Sequence, residues 1–254
     1  MAICNVSTSS MIRETDFHLL TLAGPEIGVA STKAFTTQLA ALMLLVLKTE
    51  LDATVSNASK GEYKHFMLKE IFEQPDAVQQ TIAQALDADR LKVDFLKHAE
   101  TALKDIQGVQ IIACGTSYHS GLVAKYWFEQ IIGLPCQVEI ASEFRYRHPV
   151  IIANTLYLCI SQSGETADTL AALRDVQRHA KQNQKKIYSM AICNVSTSSM
   201  IRETDFHLLT LAGPEIGVAS TKAFTTQLAA LMLLVLKTGA IKQSISEQIQ
   251  QDII

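Results

Sequence analysis

The chain lacks most of the features that would place it on a nucleic acid, in a membrane or around a metal. Its 22 lysines and arginines stand against 25 aspartates and glutamates, a net charge of −3 over 254 residues. A balance this even supplies neither a basic footprint for nucleic acid nor a polybasic membrane patch. Long apolar runs are missing too. The longest, Leu39–Leu47 and Leu228–Leu236, have nine residues each, against the ~18–20 of a spanning helix. The five cysteines (Cys4, Cys114, Cys136, Cys159, Cys193) have no C-x-x-C or other ligand spacing. They read as buried thiols of a cytoplasmic protein, and no metal site is expected. The opening MAICNVSTSS has neither the charged start nor the apolar stretch of a secretory leader. What is present, 48% hydrophobic against 19% charged residues, describes a globular chain with a real core. At ~150 residues per domain, that means one large domain with an appendage.

A perfect internal repeat dominates the organisation. Residues 1–49 recur without a mismatch at 190–238, an offset of 189. Solenoid repeats have periods of ~20–50 residues and drift in sequence, so this one is not fold-forming. It reads as a recent duplication, an engineered joining or an error in sequence assembly. The second copy begins in mid-strand, since Met190 continues KKIYSMAICNV, whereas the first copy lacks the KKIYS half. The expected layout is therefore a duplicated arm at 1–49, a polar linker at 50–62 and the folded domain at 63–254. Copy two has the shorter connections and the lower loop-closure cost, so it should hold the sheet. Copy one would pack as a helical appendage or swap into another molecule.

Tyr63–Gln74 has helical periodicity ended by Pro75, after which Asp76 is placed to cap a second helix over 78–89. From 109 onward, strands are expected at 109–114, 136–140, 155–161, 186–194 and 206–211. Helices are expected at 120–132, 166–182, 221–238 and 244–254. Apolar strands alternating with helices of this length predict βαβ crossovers, hence an α/β fold: a doubly wound, flavodoxin-like parallel sheet flanked by helices. Ligands of such sheets bind beyond the carboxyl ends of the strands.

Three loops at those ends share one chemistry: CGTS (114–117), SQSGET (161–166) and GPEIGVASTK (213–222). Each combines Gly with hydroxyl side chains and enters a helix. A helix start offers unpaired N–H groups and a partial positive charge to a phosphate, and hydroxyls add donors for phosphate or sugar oxygens. A second reading makes Ser117, Ser161, Ser163, Thr166 and Ser220 helix caps, which these residue types favour anyway. No Lys follows the Gly of SQSGET and no G-x-G-x-x-G is present, so neither a Walker A loop nor a nucleotide cofactor is supported. Nor is SQSGE the G-x-S-x-G of a hydrolytic serine. Glu165 is either a general base or a carboxylate stabilising a helix start. His119 either reaches the pocket or faces solvent, and Lys222 either pairs with an anion or lies along its helix. Glu143, Arg145, Arg147 and His148 form a solvated helix and turn or an oligomer contact.

At these loops the sequence resembles a known family. IIACGTSYHSGLVAKYWFE, VEIASEFRYR, ISQSGETADTLAALR and EIGVASTKAFTTQL are similar to the first sugar isomerase (SIS) half of the bacterial glucosamine-6-phosphate synthases, the glutamine–fructose-6-phosphate aminotransferases (isomerising). The resemblance covers 63–254 and the duplicated 1–49. It implies a pocket for fructose 6-phosphate or glucosamine 6-phosphate. Ser161, Gln162, Ser163 and Thr166 would hold the phosphate, while Thr116, Ser117, Val218, Ala219 and Ser220 would line the sugar. It also implies parts that this chain does not match: a glutaminase domain, and a second SIS half with the proton-shuttling glutamate, the ring-opening histidine and a C-terminal lysine. The chain is accordingly expected to be a catalytically incomplete, phosphosugar-binding piece of such an aminotransferase, with no catalytic residue or cofactor of its own and active only if the missing half is supplied in trans. The alternatives are a non-catalytic binding module and a fragment with no native function. An apolar face left for the second half to cover, together with the arm, predicts self-association.

Overall fold

The computed structural model describes residues 2–4, 13, 18–21, 60–88 and 90–253. The chain divides into two compact units, 1–61 and 62–254.

In the first unit, β1 (Ala2–Cys4) runs parallel to β2 (His18–Leu20), with Ala2 opposite His18 and Cys4 opposite Leu20. The rest of copy one, and with it the expected helical packing of the arm, lies outside the described residues, as does most of the 50–62 linker.

The second unit opens with α1 (Phe66–Phe72) and α2 (Gln74–Ala83). Asp76 does not cap α2. The helix starts earlier, with Pro75 in its first turn, where the missing N–H costs nothing, and Asp76 sits one residue further in. Residues 84–88 are not helical either. Leu86–Asp87 (β3) turns back antiparallel on Arg90–Leu91 (β4). A 3-10 turn and α3 (Glu100–Asp105) then lead into β5 (Gly108–Ala113) and α4 (Gly115–Ile132). Next come β6 (Cys136–Ile140), α5 (Ala141–Tyr146), β7 (Thr155–Ser161) and α6 (Ala167–Gln182). The second copy supplies most of β8 (Tyr188–Cys193), all of α7 (Ser199–Glu203) and β9 (Phe206–Leu209), and most of α8 (Lys222–Lys242). Helix α9 (Glu247–Ile253) follows.

The sheet order is β6-β5-β7-β8-β9, with every neighbouring pair parallel. Alternation along the strands sorts the core into two layers. Ile111, Leu156, Leu158, Ile160, Met190 and Ile192 face one cluster with Leu103 of α3, Phe128 of α4 and Leu231, Leu234 and Val235 of α8. Ile112, Tyr157, Cys159 and Ala191 face the other, with Phe144 of α5, Leu173 and Val176 of α6 and Met200 of α7. Helix α8 is long and apolar enough to cross a membrane by length and composition alone. Here it is the central core helix, with Ala230, Leu231, Leu233, Leu234, Val235 and Leu236 buried. A helix apolar on nearly all sides needs partners on nearly all sides, and it packs against α2, α3 and α4 as well as β8.

The strand pair of the second copy repeats that of the first. Ala191 lies opposite His207 and Cys193 opposite Leu209, the same register as Ala2–His18 and Cys4–Leu20. Copy two differs in what precedes it: Tyr188 and Ser189 extend its strand against Leu156 and Tyr157 of β7.

Candidate functional site

Register sets the site. Ala113, the last residue of β5, lies opposite Ile160, and Ser161, the last of β7, lies opposite Cys193. The loops leaving β5, β7 and β8 therefore emerge from one edge of the sheet.

The loop after β7 is folded on its own hydroxyls. Ser161 is buried, and its Oγ lies 2.7 Å from Thr166 Oγ1 while accepting the Gly164 N–H at 3.1 Å. Ser163 Oγ accepts the Glu165 N–H at 3.2 Å. Gly164 has φ +66°, and a Cβ there would lie 2.2 Å from Ser198 Oγ, so both backbone and space require glycine. Thr166 occupies the N-cap position of α6, but neither it nor any other side chain caps the helix. The first-turn N–H groups, which an α-helix leaves without internal partners, thus keep their capacity for an anion. Gln162 is half-buried and donates nothing from its side chain within the loop, while its carbonyl accepts the Asn194 N–H.

Thr116 is exposed in the first turn of α4, and Ser117 is buried one residue further. Ser117 Oγ accepts a hydrogen bond from Gln227 Nε2 at 3.0 Å, and Ser120 Oγ sits 3.2 Å from Gln227 Oε1. These hydroxyls therefore join α4 to α8 rather than cap a helix. Gln227, 1% exposed, was not anticipated; the signal was a lone amide within an apolar helical run.

The third loop carries Val218, which is 97% exposed, Ala219, also exposed, and Ser220, half-buried. Ser220 does not cap α8; its hydroxyl donates to Glu215 Oε2 at 3.3 Å. Glu215 does the capping, with Oε1 accepting the N–H groups of Thr221 and Ala223 at 2.8 and 3.1 Å. Asn194, at the end of β8, ties this loop to the previous one. Its backbone N–H reaches the Gln162 carbonyl, its Oδ1 accepts the Ala212 N–H at 2.7 Å, and its Nδ2 donates to the Gly213 carbonyl at 2.7 Å.

The remaining candidates have other partners. Glu165 accepts the Ser199 N–H at 2.6 Å, and this bond holds its carboxyl below the ordinary carboxylate range. It thus stands at the start of α7 as the carboxylate that receives that helix's first N–H. His119 is exposed. Lys222 is buried and paired with Glu73 Oε2 at 2.7 Å. Arg145 meets Asp168 at 3.4 Å, and Arg147 grips Glu139 through Nε at 2.6 Å. Among the described residues, no group of three or more His, Cys, Asp or Glu is placed to hold a metal.

A five-stranded parallel sheet flanked by helices, with hydroxyl-rich loops at the carboxyl ends of its strands, defines the class: a flavodoxin-like α/β domain. The comparisons give the particular family. The SIS domain profile matches residues 1–48 and 102–237, and the chain belongs to the SIS domain family. It is 74% identical over 203 residues to the glutamine–fructose-6-phosphate aminotransferase (isomerizing) of Acinetobacter baylyi, covering 80% of this chain and 33% of that protein. The Pseudomonas syringae enzyme of the same name is 55% identical over 198 residues, 78% of this chain and 32% of its own. Among solved structures, the C-terminal domain of glucosamine-fructose-6-phosphate aminotransferase from Francisella tularensis superposes with a TM-score of 0.72 at 48% identity, covering 77% of this chain and 54% of that one. The chain thus spans about a third of the length of the curated relatives it matches.

Proposed function

We propose that this chain is a phosphosugar-binding part of a glutamine–fructose-6-phosphate aminotransferase, acting in amino-sugar biosynthesis on fructose 6-phosphate or glucosamine 6-phosphate. The phosphate sits on Ser161, Gln162, Ser163 and Thr166 at the start of α6; the sugar lies against Thr116, Ser117, Val218, Ala219 and Ser220. The observation that carries this reading is the 161–166 loop: three hydroxyls and a glycine at positive φ before an uncapped 16-residue helix. Hydroxyl and amide donors converging on a helix start are complementary to phosphate oxygens.

The chain binds without turning the sugar over. Isomerisation needs a base to move a proton between adjacent carbons. The carboxylate in this loop, Glu165, is already taken by the Ser199 amide. The setting is cytoplasmic, in keeping with soluble biosynthetic relatives. The arm supports a second proposal: a segment identical to 190–238 that forms the same strand pair exchanges between copies and makes the chain self-associate. A monodisperse monomer in sedimentation at tens of micromolar would refute that part.

Calorimetric titration with fructose 6-phosphate and glucosamine 6-phosphate, with free fructose and glucosamine as controls, tests the binding reading. Phosphate-dependent binding, weakened about tenfold in Ser161→Ala or Thr166→Ala by loss of a charge-assisted hydrogen bond, is the expected outcome. No binding at millimolar ligand overturns it and leaves a fragment without a function of its own.

A further inference from the structure

The loop that carries Val218, Ala219 and Ser220 is held from a helix 146 residues away in sequence, outside the stretch matched by the SIS profile. Glu70 of α1 is 2% exposed. Its Oε1 accepts the Ile216 N–H at 2.6 Å and the Gly217 N–H at 2.9 Å, and Oε2 lies 3.2 Å from the same Gly217 nitrogen. A buried carboxylate is costly unless its oxygens are satisfied, and here the satisfaction comes from two consecutive amides of one loop. The contact is also tight: a Cβ on Gly217 would stand 2.5 Å from Glu70 Oε2 and 3.4 Å from Met67 Cα. One turn along, Glu73 holds Lys222, where the loop enters α8. Glu70 in α1 and Glu73 between α1 and α2 thus grip the middle and the end of the loop, with Val218, Ala219 and Ser220 between them.

We propose that Glu70 is a positioning residue of the sugar site, its carboxylate fixing the Ile216–Gly217 backbone so that residues 218–220 are presented at the ligand edge of the sheet. The inference rests on the phosphosugar reading above and extends the functional unit to α1, which lies outside the residues matched by the SIS profile. The phosphate loop 161–166 makes no contact with Glu70 through these bonds, so the two halves of the ligand should respond differently to its removal. Loss of the carboxylate loosens the sugar loop and leaves the phosphate loop as it was. An amide side chain keeps the shape and one acceptor oxygen, but loses the charge and puts an NH2 donor where Oε2 faced the Gly217 N–H.

The test compares the full chain with its Glu70→Gln and Gly217→Ala variants, titrated with fructose 6-phosphate and, separately, inorganic phosphate. Amide hydrogen exchange is followed at Ile216 and Gly217. Both variants should bind fructose 6-phosphate about tenfold more weakly, as expected for losing a hydrogen bond to a charged group, and bind inorganic phosphate within twofold of the parent. Exchange at the two amides should quicken at least tenfold. Because both changes break one contact, the double variant should lose no more than either single one. Unchanged fructose 6-phosphate affinity, or equal loss for both ligands, overturns the proposal; the latter would make Glu70 a general support of the fold. If the parent binds neither ligand, the phosphosugar reading fails. Exchange then judges the brace alone, and equal exchange in parent and Glu70→Gln sinks it.

Discussion

The hydroxyls of Ser161 and Thr166 lie 2.7 Å apart, one at the last residue of β7 and the other at the N-cap position of α6. Each is thereby kept from the ordinary work of a serine or threonine beside a helix, which is to cap it. A pair of hydroxyls bonded to each other can redirect its donors when an anion arrives, at the cost of one neutral hydrogen bond.

The turn between them depends on one glycine. Gly164→Ala would place a methyl carbon within 2.2 Å of Ser198 Oγ and 2.5 Å of Ser198 Cβ, at φ +66°. Left-handed strain and overpacking each cost ~1–3 kcal/mol, so urea denaturation should show a loss of about 2–6 kcal/mol. Adding Ser198→Gly should recover only the steric part. Full recovery would mean that the backbone conformation is not strained.

The Lys222–Glu73 pair should be asymmetric. Lys222 is 4% exposed, whereas the Glu73 side chain is 34% exposed and also lies 3.5 Å from Lys69. Glu73→Gln strands a buried ammonium and should destabilise by ~3 kcal/mol; Lys222→Met leaves a carboxylate with water and Lys69 and should cost under ~1.5 kcal/mol. Reversed magnitudes in denaturant titrations would contradict the burial argument.

The same pair gives a pH dependence of known sign. Burial pushes the Glu73 carboxyl up, but the hydrogen bond and charge of Lys222, with Lys69 beside it, outweigh this and hold it below its ordinary value. A carboxyl whose folded value is depressed binds protons more readily when unfolded. Its contribution is therefore present above the unfolded pKa and lost as pH falls through the folded one. Between pH 6 and 3 the thermal midpoint of the parent should fall more steeply than that of Glu73→Gln, and parallel curves would exclude the linkage.

Glu165→Gln should leave fructose 6-phosphate affinity within twofold, because the carboxylate is turned to the Ser199 amide. A large loss of affinity in calorimetry would place Glu165 on the ligand after all.

Gln227→Leu removes the partner shared by Ser117 and Ser120, both buried. An unsatisfied buried hydroxyl costs ~1–3 kcal/mol, and denaturation should register a loss in that range. Gln227→Glu, which keeps the shape, separates loss of volume from loss of the amide donor.

The near-continuous apolar runs in 109–114, 155–161 and 186–194 were enough to predict strands buried on both faces, and with the intervening helices a doubly wound parallel sheet. The hydroxyl-rich loops were legible for the same reason, since composition at a strand end is a local property. Boundaries were less so. Asp76 looked like a cap because its residue type favours one, yet α2 had already begun at Gln74. Leu86 and Asp87 looked helical from their neighbours but pair with Leu91 and Arg90 in β3–β4 instead.

Two identical segments separate local from tertiary control. In both copies the residues AIC and HLL pair in parallel with the same register, so the segment itself specifies that pairing. What joins the pair to the five-stranded sheet in copy two is the rest of β8 and its partner strand: residues from Tyr188 to Cys193 pair with Leu156 to Ser161 of β7. The sequence by itself therefore determined the strands, their pairing and the chemistry of the loops, because periodicity and hydroxyl content act over a few residues. Only the tertiary structure decided what holds those loops: Glu70 on Ile216 and Gly217, Gln227 on Ser117, Asn194 between two strand ends. A buried polar group must find a partner, but nothing in its neighbours along the chain says which distant amide or hydroxyl the packing will bring to it.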